Sequence, residues 1–244
     1  MHWPEGYGRR VLPEVDSTNA EAARSAAGLA GPEWILGLRQ TAGKGRRGRP
    51  WSDPAGNFAA TLVLPTPGAP MQAALRSFVA ALALSDAFVA VTGRAEAFSL
   101  KWPNDVLLNG GKVAGILLEG LPGGALAIGI GVNLAQAPQV SEVESRALRP
   151  VSLLSETGAM VTPEDFLTPL AASFARREAS FATYGFAPIR EAWLSRAARL
   201  GEEITARTGK TETTGIFRDV DLTGNLVLQT AGGRVAIPAA DVYF

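Results

Sequence analysis

Apolar positions along this chain recur at two different periods. Strand-length runs appear at 34–38 (Trp-Ile-Leu-Gly-Leu), at 58–64 (Phe-Ala-Ala-Thr-Leu-Val-Leu) and at 125–132 (Ala-Leu-Ala-Ile-Gly-Ile-Gly-Val). Pro65 and Pro67 end the second of these. Residues 98–108 form another apolar run, interrupted by Lys-Trp-Pro-Asn-Asp, and Asn109-Gly110-Gly111 turns it back into 112–119 as a hairpin. The period then changes. Between 72 and 91, Leu75, Phe78, Val79 and Leu82 follow helical spacing up to Gly93, which predicts a core helix. A second helical block opens at Thr162-Pro163-Glu164-Asp165 and runs to about Arg196, with interruptions expected at Gly185 and Pro188. Near the start, Thr18-x-x-Glu21 is a capping-box pattern leading into an alanine-rich helix. Residues 135–150 predict a polar loop. Beyond Leu200 the runs shorten to 203–207, 214–217, 225–229 and 235–237, separated by turns at 221–224 and 231–233. That texture predicts a small β barrel, too small to bury a full core alone and so expected to dock on the main domain.

Composition narrows the chemistry. The chain has 244 residues, enough for one substantial core and an appended unit. Lys+Arg and Asp+Glu both number 23, which argues against a general DNA-binding or membrane-binding surface. No cysteine is present, so disulfides, thiolate nucleophiles and thiolate-bound zinc are excluded. The only histidine is His2, at an end expected to fray, so a Ser-His-Asp triad has no base. Catalysis must rest on Lys, Arg, Asp, Glu and backbone groups. No run of eighteen apolar residues and no signal-peptide pattern occur, and a cytoplasmic location is expected.

One stretch breaks the charge balance. Between Gln40 and Trp51 the chain reads Gln-Thr-Ala-Gly-Lys-Gly-Arg-Arg-Gly-Arg-Pro-Trp, with Lys44, Arg46, Arg47 and Arg49 interleaved among Gly43, Gly45 and Gly48. Glycines let backbone N–H groups approach an anion while arginines fork onto it. Gly43–Gly48 is literally a G-x-G-x-x-G, but Arg49-Pro50-Trp51-Ser52-Asp53-Pro54 follows where a Rossmann loop needs an apolar helix. A Walker A is excluded because no Gly-Lys-Ser/Thr closes a four-residue gap. A solvated basic loop is the bland alternative.

Three other places carry candidate chemistry. Ser17, Thr18 and Asn19 put two hydroxyls and an amide at a helix start, able to hold a polar ring or merely to cap the helix. Lys101, Asn104 and Asp105, with Lys112 across the hairpin, bring two cations and a carboxylate to one sheet region. Gly129 and Gly131 lie on one strand face and leave room for a ligand or another backbone. Trp51 and Asn57 fall between two strand ends, where ligand sites commonly form.

Taken together, these motifs resemble those of the biotin protein ligases: Asp16–Asn19, Gln40–Trp51, Lys101–Asp105, Lys112–Glu119 and Gly129–Asn133, in this order and followed by a small barrel. The resemblance implies an α+β fold: a mixed β-sheet flanked by helices, like that of class II aminoacyl-tRNA synthetases, over residues 1–198, and an SH3-like β-barrel over 199–244. It also implies two steps. Biotin and MgATP give biotinyl-5′-adenylate, and a lysine of a biotin carboxyl carrier domain then attacks the activated carbonyl. By the same resemblance Ser17, Thr18, Asn19 and Gln40 hold the biotin ring, and Lys44, Gly45, Arg46 and Lys112 surround its carboxylate. Arg46, Arg47, Trp51, Lys101, Asn104 and Asn133 face the nucleotide. Asp105 holds magnesium or accepts the incoming lysine's proton. One departure is Lys44, where many members carry arginine and its bidentate fork.

Some members also carry an N-terminal DNA-binding domain. The Ser-Thr-Asn motif begins here at residue 17, so a ligase without DNA binding is expected, and a homodimer is expected from the resemblance alone. The charge requirement is consistent with the lack of histidine, because joining a carboxylate to a phosphate calls for fixed cations rather than a proton acceptor. Arg46 and Lys112 are the candidates for that role, with the basic loop closing over the adenylate. A lipoate-type ligase on the same scaffold, a salt-sensitive nucleic-acid binder and a sensor without chemistry are the competing readings.

Overall fold

A computed structural model gives the fold and describes residues 1–65, 68–144 and 146–244. Pro67, expected to help end a strand, and Ser145, within the expected polar loop, lie outside the described residues. The strands are β1 (Gly8–Leu12), β2 (Glu33–Gly37), β3 (Phe58–Leu64), β4 (Phe98–Lys101), β5 (Asp105–Leu108), β6 (Gly111–Gly120) and β7 (Leu126–Val132). They form one seven-stranded mixed sheet in the order β1-β2-β3-β7-β6-β5-β4, with β1 parallel to β2 and the remaining pairs antiparallel. β3 is buried at all seven positions because both faces of the sheet are covered there.

The two faces are covered differently, and that difference makes the site. On one face, α2 (Pro70–Thr92) and α4 (Pro163–Tyr184) pack together over Trp34, Leu62, Ile128 and Ile130. α2 is long and apolar enough to cross a bilayer, yet two-thirds of its most apolar window is buried within the fold. α5 (Phe186–Leu194) extends this layer, with Phe78 edge-on to both Phe186 and Trp193. Among the described residues the other face carries one α-helix, α1 (Thr18–Ser25), seated on Ile35, Val63 and Ala127 through Ala22 and the following Ala26. Beyond the start of α1 that face stays open.

The last five strands are β8 (Glu203–Thr208), β9 (Thr211–Val220), β10 (Leu226–Thr230), β11 (Gly233–Ile237) and β12 (Asp241–Tyr243). They pair antiparallel in the order β11-β10-β9-β8-β12. This unit docks as expected. Its Phe217, Leu226 and Leu228 join the core of the main sheet, and Trp102 donates its indole N–H to Gly224 O.

Several expectations need correcting. β1 was not legible, and a one-turn helix, α3 (Leu153–Thr157), also appears. The Thr18/Glu21 capping box does not form. Ser17 is the N-cap residue and has no side-chain cap, while the Glu21 carboxylate accepts from Arg10 and Arg24 instead. Pro188 does not interrupt the second helical block. It sits in the first turn of α5, where backbone donors lack intrahelical partners in any case, and only Gly185 breaks the block. The expected polar loop at 135–150 holds a short 3-10 turn at Val140–Glu142.

Candidate active site

The open face of the sheet forms the floor of a cavity of about 640 Å³. The N-terminus of α1, the basic loop, the β4–β5 turn, Lys112, the loop before α3 and the end of β12 make its walls.

At one end lies a polar subsite. Ser17, Thr18 and Asn19 are buried at the α1 N-terminus, and Gln40 faces them, its Oε1 accepting from the Thr18 N–H at 2.9 Å. Asp53 in turn accepts from the Gln40 N–H. Burial raises the Asp53 carboxyl above the ordinary range. Asn19 can lie flat on β7 only because residue 129 is glycine, since a Cβ there would collide with the Asn19 amide oxygen. Gly131 has the same relation to the Trp51 ring. The indole covers that part of the floor, and its buried N–H has no partner among the described residues.

At the other end the cations gather. The basic loop folds as a tight hairpin, with Lys44 bridged to Pro50 and Gly45 N–H donating to Arg49 O at 2.7 Å. A 3-10 turn at its tip places Arg47 at φ 59°. Arg46 points inward, donating to Asn104 Oδ1 at 3.1 Å and to Ala240 O at 3.4 Å. Among the described residues no carboxylate pairs with it directly, and burial lowers its pKa, partly opposed by Asp241 and Asp105. A half-buried guanidinium held by neutral partners is well placed for an incoming anion.

Lys112 reaches the same cavity through a register irregularity. Leu107 pairs with Lys112 but Val106 with Ala114, so Val113 is extra. This bulge turns the Lys112 side chain onto the face that Gly115 occupies. Its ammonium lies 2.7 Å from Asp105 Oδ1, close enough for an ion pair though not aligned as a hydrogen bond, and 5.8 Å from the Trp51 ring centre. Lys101 stands 3.7 Å from the second carboxylate oxygen. Burial pushes the Asp105 carboxyl up, but Lys112, Lys101 and Arg46 outweigh it and hold the group below the usual range. Asp105 is therefore a firmly ionised carboxylate, a poor proton acceptor suited to orienting cations. Burial also lowers the Lys101 pKa.

Not every expected residue converges. Arg46, Lys112, Asp105, Lys101, Asn104, Lys44, Gly45, Trp51 and Asn133 all border the cavity. Arg47 does not line it, and donates instead to Asp241 at 2.7 Å. Asn133 spends its amide N–H on Val151 O, leaving its side-chain oxygen. Asn57 is structural, fastening residues 135 and 136 through both ends of its amide. The sequence reading singled out Arg49 only as one of the loop cations and missed Arg146, Asp241 and Tyr243; all four complete the wall. Asp241 binds Arg47, Arg49 and Arg207, and Tyr243 lies under Arg146 and Arg207. No local motif marks Arg146, Asp241 or Tyr243.

Among the described residues no three metal-ligating side chains cluster. A magnesium ion carried on nucleotide phosphates would fit these residues, with Asp105 the carboxylate among the cations that could help hold it.

A sheet that sets buried hydroxyls and amides at one end of a cavity and gathers cations at the other has the layout of an enzyme that activates a carboxylic acid with a nucleotide. Comparison with known proteins agrees. Residues 10–134 match the biotin/lipoate A/B protein ligase family, and residues 200–244 match the biotin protein ligase C-terminal domain. The chain is 58% identical to the biotin–[acetyl-CoA-carboxylase] ligase of Paracoccus denitrificans, over 96% of this chain and 99% of that one. It is 31% identical to the bifunctional ligase/repressor BirA of Bacillus subtilis, over 95% of this chain and 73% of that one. The biotin protein ligase of Aquifex aeolicus, solved in complex with biotin and ATP, superposes with a TM-score of 0.84 at 27% identity, covering 96% and 98% of the two chains. The chain belongs to the biotin/lipoate A/B protein ligase family.

Proposed function

We propose that this chain is a biotin protein ligase whose cavity performs both half-reactions. A biotin carboxylate oxygen attacks the α-phosphorus of ATP, the bond to pyrophosphate breaks, and biotinyl-5′-adenylate remains. A lysine amine of a biotin carboxyl carrier domain then attacks the acyl carbon, and AMP leaves. Magnesium, when bound, neutralises phosphate charge. The protein contributes fixed cations: Arg46 and Lys112 flank the point where carboxylate and phosphate meet, two anions that repel each other in the absence of such charge. Ser17, Thr18, Asn19 and Gln40 seat the ring, and Lys44 and Gly45 border its carboxylate. Lys101, Asn104, Asn133 and Trp51 face the nucleotide, with Arg47 acting only through the loop. Residues 1–198 form the catalytic unit and 199–244 the appended barrel. A cytoplasmic location is part of this reading, because the reaction consumes ATP, and neither half-reaction calls on DNA.

The observation that carries this reading is the convergence of Arg46 and Lys112 on the cavity that also holds the Ser17–Gln40 subsite. Biotin-dependent exchange of labelled pyrophosphate into ATP tests it. Wild-type protein exchanges, while Arg46→Ala and Lys112→Ala lose most of that exchange. No exchange by the wild type, or full exchange by both variants, overturns it. A lipoate-type activity is separated by competition, in which biotin and not lipoate supports exchange.

A further inference from the structure

Lysine accounts for only four of the 23 cationic side chains, Lys44, Lys101, Lys112 and Lys210, and the rest are arginine. A guanidinium stays protonated and is not acylated, so amines able to react with an acyl phosphate are scarce on this chain. Three of the four lysines nevertheless border the cavity. Lys210 does not. It sits in the turn between β8 and β9, and the amine of Met1 also lies outside the cavity wall.

The three cavity amines differ in what holds them. The Lys112 ammonium is 2.7 Å and the Lys101 ammonium 3.7 Å from the Asp105 carboxylate, and the Lys101 side chain is only 11% exposed. An amine paired in this way must leave its counter-ion and give up its proton before its nitrogen can attack. Lys44 has no such tie. It is exposed, and among the described residues no carboxylate pairs with it. The hairpin fixes its backbone instead, through the bridge to Pro50 and the Gly45 N–H donated to Arg49 O, which leaves the stem to reach over the cavity. Position 44 is also where this chain carries lysine in place of the arginine of many family members, so a reactive amine stands where an unreactive cation would serve the same charge.

We propose that Lys44 is a self-acylation site, at which the enzyme biotinylates its own loop when no carrier domain takes the activated acyl group. The inference rests on the ligase reading of the same cavity and goes beyond it. The neutral amine nitrogen of Lys44 bonds to the acyl carbon of biotinyl-5′-adenylate, the bond from that carbon to the phosphate oxygen breaks, AMP leaves with the electron pair, and the surplus proton passes to water. A tethered amine acts at an effective concentration on the order of millimolar, which a dilute carrier domain does not match. The amide that forms is permanent, removes one loop charge and leaves the biotinyl chain beside the cavity, so the labelled molecule is inactive.

The test incubates the full chain with biotin and MgATP in the absence of carrier, followed by intact mass spectrometry, peptide mapping and pyrophosphate exchange. Wild-type protein gains one biotinyl group, mapped to Lys44, and its exchange activity falls in step with the labelled fraction. Labelling follows first-order kinetics, with a rate constant unchanged on about tenfold dilution of the enzyme, as an intramolecular reaction requires. Lys210→Arg labels like the wild type, whereas Lys44→Arg loses the label. Mapping of the wild type decides the site independently of either variant. Label found chiefly on Lys101, Lys112, Lys210 or the N-terminus overturns the inference, as does a rate that falls with dilution, which marks transfer between molecules. A wild type without biotin-dependent exchange sinks the ligase reading and this inference with it. A wild type that exchanges yet leaves Lys44 unmodified sinks this inference alone.

Discussion

Replacing Lys112 with methionine removes one ammonium while keeping the length of the stem, and the structure sets what that costs. The ammonium is 2.7 Å from Asp105 Oδ1, and the Asp105 side chain is only 13% exposed. Stripping a partner from a fully buried pair typically costs about 3–5 kcal/mol. Two features reduce that here: Lys101 stays 3.7 Å from the other oxygen, and the Lys112 side chain is 32% exposed and so partly screened. We expect a loss of about 1–3 kcal/mol in urea denaturation, against a fall in pyrophosphate exchange on the order of 10²-fold or more. Acidity adds a signature. The folded carboxyl of Asp105 sits below its ordinary pKa, so its stabilising share is complete above the unfolded value and is lost as pH falls through the folded one. The gap between wild type and Lys112→Met is therefore widest near neutrality and closes on acidification. A double variant, Lys112→Met with Asp105→Leu, replaces the pair by apolar groups and recovers stability without recovering exchange. If stability and exchange return together, the lysine was a structural counter-ion and the catalytic assignment fails.

Two further outcomes follow from the same geometry. Gly131→Ala drives a methyl group into the Trp51 indole, so exchange falls at least tenfold and the near-ultraviolet circular dichroism of the tryptophans changes; an unchanged spectrum refutes the packing. Asp241→Asn withdraws the charge that ties Arg47 and Arg49 to the barrel, so trypsin cuts within 44–49 several times faster in the variant, and cleavage at the wild-type rate would show that the latch holds nothing.

The elements that carry strong periodicity were legible, and those that depend on distant partners were not. β3 and the long helix followed from their own residues. β1 reads Gly-Arg-Arg-Val-Leu, with no inward–outward alternation, and is a strand because β2 offers it a parallel edge. Glu21 carries a sound capping signal that tertiary contact overrides, since Arg10 on β1 and Arg24 bind its carboxylate first. Arg46, Arg47 and Arg49 are interchangeable in a sequence. Asp241 distinguishes them, and it lies on a three-residue strand more than 190 residues away. Lys112 stood out as a lysine heading an apolar run, but the bulge that points it at the cavity depends on the register with β5.

That sorting of arginines gives the barrel a role that its size conceals. The loop carries four cations, more than one substrate carboxylate can use, and a bare cluster of that kind would repel itself. Asp241 takes up Arg47 and Arg49, with Glu144 sharing Arg49, while the Ala240 carbonyl holds Arg46 by a neutral contact that leaves its charge available. Of the cations that line the cavity, Lys44, Arg46, Lys101 and Lys112 remain for the interior, with Asp105 the carboxylate set among them, while Asp241 and Glu144 are engaged by Arg47 and Arg49. The surplus is positive and concentrated where, in the proposed reaction, a nucleotide phosphate and a substrate carboxylate approach each other. In this arrangement the last strand of the chain sets which loop cations are free to meet the substrate, so the barrel belongs to the charge design of the active site rather than to its periphery.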